Sequence, residues 1–93
     1  MTLESERILG ADAAATLRSP TVKLAFSRLG EYLDNQILSC KPDDKDQAQR
    51  VVLAKQILVG LKREFERIVE EGEVADIQLQ EIEKKSRIRQ FIR

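Results

Sequence analysis

Ninety-three residues make one domain at most, and a chain of this size buries only a little over ~60% of the surface its unfolded form exposes, which excludes a large enclosed active site. Hydrophobic residues are 42% and charged residues 34%, with four Gly, two Pro and no Trp, the makeup of a soluble helical protein and not of a disordered tail or a β-sandwich. Sixteen basic and sixteen acidic side chains cancel, so no global charge draws the chain to nucleic acid or to an anionic membrane, and zero net charge favours association.

The first segment, 3–18, carries Leu3, Ile8, Leu9, Leu17 and the run Ala13-Ala14-Ala15, which predicts a helix interrupted or frayed near Gly10. At Ser19-Pro20 a second helix starts: a Ser hydroxyl can accept from a first-turn amide, and Pro at the first helical position loses no hydrogen bond. From Pro20 to Ser39 the positions Val22, Ala25, Phe26, Leu29, Leu33 and Ile37 recur at three- and four-residue steps and form one apolar stripe. Lys41-Pro42-Asp43-Asp44 breaks that helix, and Asp44 with Gln47 predicts the cap of a third. The third is expected over 45–71, with Gly72 as its left-handed C-terminal residue and Val51, Ala54, Leu58, Leu61, Phe65 and Ile68 as its seam.

The alternating three- and four-residue steps of that seam, and the short loop before it, predict that residues 20–71 form an antiparallel helical hairpin. Val52, Ile57, Val59 and Val69 lie off the seam as a second apolar row, which a two-helix hairpin leaves uncovered. Either the N-terminal helix packs on this row or another subunit does, which makes these four residues the candidates for self-association. Gly60, costing ~1 kcal/mol relative to Ala inside a helix, marks either a close helix approach or a tolerated surface position. After Gly72, residues 74–93 are expected to form a separate C-terminal helix or arm. The fold class expected is all-α, a single helical domain.

The chain has no histidine, which removes the commonest general base and the commonest metal ligand, and Cys40 is its one cysteine. Disulfides within the chain and Cys-x-x-Cys sites are excluded, and Cys40 reads as a partly buried apolar residue near a helix end. The glycines at 10, 30, 60 and 72 are too far apart for a phosphate loop. Carboxylate pairs such as Asp43/Asp44 and Glu70/Glu71 lack the apolar surroundings that split their acidities. No catalytic residue, cofactor or metal is therefore expected. No run approaches the ~20 apolar residues of a membrane span, and the polar start of the chain does not read as a signal peptide.

The net charge of zero is unevenly laid out. From Glu64 to Glu83 there are eight acids against Arg67, a balance of −7, and from Lys84 to Arg93 five bases and no acid. Glu70 and Glu71, at the end of the expected third helix, oppose its dipole and invite a cation from a neighbour's basic tail. The final segment admits two functional readings beside that of a solvated tail. As a docking arm it lays Ile88, Phe91 and Ile92 into a partner's groove with Arg87 and Arg89 on the rim. As a nucleic-acid arm it places Lys84, Lys85, Arg87, Arg89 and Arg93 on phosphates of DNA.

The run Ala15–Phe26 (A-T-L-R-S-P-T-V-K-L-A-F), the Pro-Asp-Asp loop and the long helix reaching Glu-Glu-Gly-Glu-Val-Ala resemble small helical proteins encoded among the head-assembly and DNA-packaging genes of tailed bacteriophages. The resemblance covers roughly residues 8–82 and rests on packing residues, among them Phe26, Leu58, Leu61, Gly72 and Ala75. It implies a non-enzymatic virion-assembly or packaging accessory, homo-oligomeric and bound to a head or packaging protein, in the host cytoplasm or on the virion. A small terminase-like subunit and an inhibitor of a host enzyme are the alternatives. The chain departs from a typical small terminase in having no clear N-terminal helix-turn-helix, since 3–18 supplies one helix and few bases.

Overall fold

The computed structural model describes residues 1–92, with side chains through residue 90. The chain is all-α, with helices α1 (Leu3–Arg18), α2 (Pro20–Ser39) and α3 (Lys45–Ile92) and no strand among the described residues. Each start has a side-chain cap. Ser5 N donates to Thr2 Oγ1 (3.1 Å) at α1, Val22 N to Ser19 Oγ (3.4 Å) at α2, and Gln47 N to Asp44 Oδ1 (3.1 Å) at α3. These oxygens satisfy amides that the first turn of a helix leaves without partners. Pro20 stands at the start of α2, and Cys40 closes its end, its N donating to Ile37 O (3.3 Å) and its Sγ to Gln36 O (3.0 Å).

Two expectations about glycine are corrected. Gly10 does not interrupt α1, and Gly72 does not end α3, which continues for 48 residues in place of separate helices over 45–71 and 74–93. No glycine has a positive φ, so Gly72 is ordinary helix. With no helix end at residue 71, the argument that Glu70 and Glu71 oppose a terminal dipole also falls, because the effect is confined to the last turn.

The residues divide into two compact units, Thr16–Glu64 and Met1–Ala15 with Phe65–Arg93. In the first, Leu33 of α2 and Val51 of α3 are buried, and Lys55 of α3 reaches α2, its Nζ 3.0 Å from Asp34 Oδ1 and 3.5 Å from Gly30 O. The covered positions of α2 are Val22, Phe26, Gly30, Leu33 and Gln36, with Cys40 just past its end, so the stripe is rotated from the expected one and Ala25, Leu29 and Ile37 face outward. On α3 the expected seam holds at Val51, Ala54, Leu58, Phe65 and Ile68, while Leu61 is exposed.

In the second unit α1 meets α3 at a pair of glycines. A Cβ built on Gly10 would stand 2.6 Å from Gly72 Cα and 3.1 Å from Ile68 O, and one built on Gly72 would stand 2.6 Å from Gly10 Cα and 3.0 Å from Glu6 O. Backbone therefore lies on backbone, an approach open only where neither helix has a side chain at the crossing. Ala13 and Ala75, at 1% exposure in the latter case, fill the next turn on each side. Gly60, by contrast, has open space around its missing Cβ, so the reading of Gly60 as the close approach is corrected to Gly10 and Gly72.

Candidate functional site

The buried face of α3 leaves its other faces to solvent. Of the residues expected to self-associate, Val52, Ile57 and Val59 belong to the first unit and are exposed, Ile57 at 65%, whereas Val69 belongs to the second and is half-buried. They do not form one row. At about 100° per residue Val52 and Val59 share a face within about 20°, and Ile57 points some 140° or more away from each. Val69 sits instead beside the glycine crossing, in a shallow groove lined by Ile8, Ala11 and Ala14 of α1 and by Glu73 and Asp76 of α3, with Arg7 at its rim. The exposed charge of Arg7 is held by Glu4 one turn earlier.

In the C-terminal part of α3, every residue of 80–90 is exposed. Ile82 and Ile88 are more than half and half exposed, respectively, with Lys84, Lys85, Arg87 and Arg89 around them. Arg87 Nη2 pairs with Glu83 Oε1 at 2.6 Å across one turn, and Gln80 Nε2 donates to Asp76 Oδ2 at 3.0 Å. Such local pairs add only a few tenths of a kcal/mol each to a helix. Of the remaining arm residues, Arg93 and the side chains of Phe91 and Ile92 lie outside the described residues.

Sequence reasoning left Val74 and Ile77 in a separate C-terminal segment, whereas the unbroken helix brings them onto an outward face of α3. Ile77 and Ile88 fall within about 20° of each other and Val74 within about 60° of Ile77. All three are at least half exposed. Their signal in the sequence was present, but an expected break at Gly72 assigned Val74 and Ile77 to a separate segment. Among the described residues no three of His, Cys, Asp and Glu come together as a group that could hold a metal ion, and no helix is long and apolar enough to cross a membrane.

Compared with known proteins, the chain matches no family model, no curated sequence and no solved structure.

Proposed function

We propose that the chain is a non-enzymatic helical assembly protein, working through self-association and docking to a partner, in virion head assembly or DNA packaging as its resemblance to tailed-phage proteins implies. In this reading α2 and the first part of α3 form an antiparallel hairpin, a frame supported by the pairing of Lys55 with Asp34. The observation that carries the proposal is the imbalance between what is buried and what is exposed. Among the described residues the buried hydrophobic side chains are Ala13, Leu33, Val51 and Ala75, while Ile8, Leu24, Leu53, Ile57, Ile77 and Ile88 are among the large aliphatic residues left about half exposed or more. Fully burying a Leu, Ile or Val side chain contributes roughly 1.5–3 kcal/mol, so contact between copies can gain from apolar surface that the single chain leaves in water.

Light scattering on the full chain over a range of concentrations tests this reading. A mass that rises above the 10.6 kDa of one chain as concentration increases is expected. A mass that stays at one chain up to the solubility limit contradicts it.

A further inference from the structure

In the unit formed by Met1–Ala15 and Phe65–Arg93, α1 covers α3 on the side of Ile68, Gly72 and Ala75, and beyond Leu79 the helix has no covered residue among 80–90. The opposite face of this stretch carries Ile77 and Ile88, with Val74 at its border, where with Glu70 it lines a shallow groove beside Glu6 of α1. Charge is divided along that face. Glu66, Glu70 and Glu73 precede Ile77, while Glu81 and Lys84 follow it on the same face, with Lys85 at its edge and Arg89 about 120° round from Ile77. All seven are exposed, and among the described residues none has an ion-pair partner within the chain.

We propose that this face is a homodimerisation surface, on which two copies of α3 pair antiparallel about a two-fold axis near Ile77. The proposal rests on the reading of the chain as self-associating and names the surface. A second copy is the occupant because the face matches itself better antiparallel than parallel, even with Glu73 set opposite Glu81. Antiparallel pairing sets Lys84 or Lys85 of one copy opposite Glu70 of the other and Arg89 opposite Glu66, since each pair is centred on residues 77–78. Parallel pairing in register sets acid on acid and base on base. Near the axis Ile77 approaches its own copy with Val74 beside it, so the apolar contact lies at the centre and the charges outside, the layout of an isologous interface. A nucleic acid gains from the bases but meets the adjacent acidic stretch with the wrong sign.

The test exchanges the charges in the full chain. One variant reverses the arm (Lys84→Glu, Lys85→Glu, Arg89→Glu) and another reverses the acidic face (Glu66→Lys, Glu70→Lys, Glu73→Lys). Each is expected to weaken the dimer roughly a hundredfold, because the contacts of Glu70 with Lys84 or Lys85 and of Glu66 with Arg89 are turned into repulsions and are counted twice by the two-fold axis. Mixed in equal amounts, the two variants should form a heterodimer as tight as the wild-type dimer. Helical content by circular dichroism should not change, because the substituted side chains are exposed.

Wild-type association unaffected by either reversal overturns the surface and leaves self-association standing, whereas a monomeric wild type overturns both. Failure of the mixture to pair also overturns the surface. So does a wild-type mobility shift on duplex DNA that arm reversal abolishes without changing the mass in solution, which assigns the arm to nucleic acid.

Discussion

Gly72→Ala is expected to destabilise the contact of α1 with α3 by about 2 kcal/mol and to lower the melting temperature by about 10 °C. Two effects of opposite sign decide the figure. An alanine gains about 1 kcal/mol over glycine inside a helix. The added Cβ, however, would stand 2.6 Å from Gly10 Cα and 3.0 Å from Glu6 O, atoms of a backbone that cannot turn aside as a flexible side chain can. Overpacking of this kind costs about 1–3 kcal/mol and sometimes more; a clash of backbone with backbone, which requires the two helices to separate, takes the top of that range and leaves a net loss of about 2 kcal/mol. Gly10→Ala should do the same. The double variant should lose less than the sum, because one separation relieves both clashes. Gly60→Ala is the control: with open space around its Cβ it should gain about 1 kcal/mol and melt higher. Thermal unfolding followed by circular dichroism reads all four, and an unchanged or raised melting temperature for Gly72→Ala would contradict the crossing.

Leu33→Ala is expected to cost about 2–3 kcal/mol in the unit formed by Thr16–Glu64. Leu33 is 8% exposed and is the buried residue of α2, so truncation removes the most completely covered apolar side chain of that helix and leaves a void. The expected value lies in the lower half of the range for Leu→Ala because an open two-helix contact can collapse onto the space more readily than a deep core. Leu38→Ala, at a residue 84% exposed, should change stability by no more than about 0.5 kcal/mol. Urea unfolding separates the two. Equal midpoints would mean that Leu33 is not the anchor of α2.

Local signals in the sequence located the helix starts and the end of α2. Ser19-Pro20, Lys41-Pro42 and Asp44 act within one turn of themselves, and the bounds of α1 and α2 and the start of α3 follow them. Gly72 shows where local reading stops. A glycine after an apolar-periodic run is the usual mark of a helix end, but what Gly72 answers to is Gly10, far away in sequence. The continuation was nevertheless legible, since the seam of Val51, Ala54, Leu58, Leu61, Phe65 and Ile68 runs on at the same steps through Gly72, Ala75 and Leu79. The same spacing recurs in α1 at Leu3, Glu6, Gly10, Ala13 and Leu17, each buried or half-buried. Two seams with glycine at the same kind of position carry the information that one glycine alone does not.

The candidate surface was legible in its charges and not in its apolar residues. The acidic stretch and the basic arm are read from sequence by counting, but Val74 and Ile77 join Ile88 on one face only when the helix is unbroken from Lys45 to Ile92. Ile57 was grouped with Val52 and Val59 because all lie off the seam, although helical rotation sets it on another side.

Amide hydrogen exchange of residues 80–90, followed in the full chain at concentrations below and above the midpoint of association, reports whether a second copy covers the arm. This stretch has no covered residue in the single chain, so its amides should exchange rapidly when the protein is dilute. On association they should slow by roughly tenfold or more, and the slowing should be lost in the arm-reversed variant. Rapid exchange of residues 80–90 at both concentrations, in a sample whose mass shows it to be dimeric, would contradict pairing through α3.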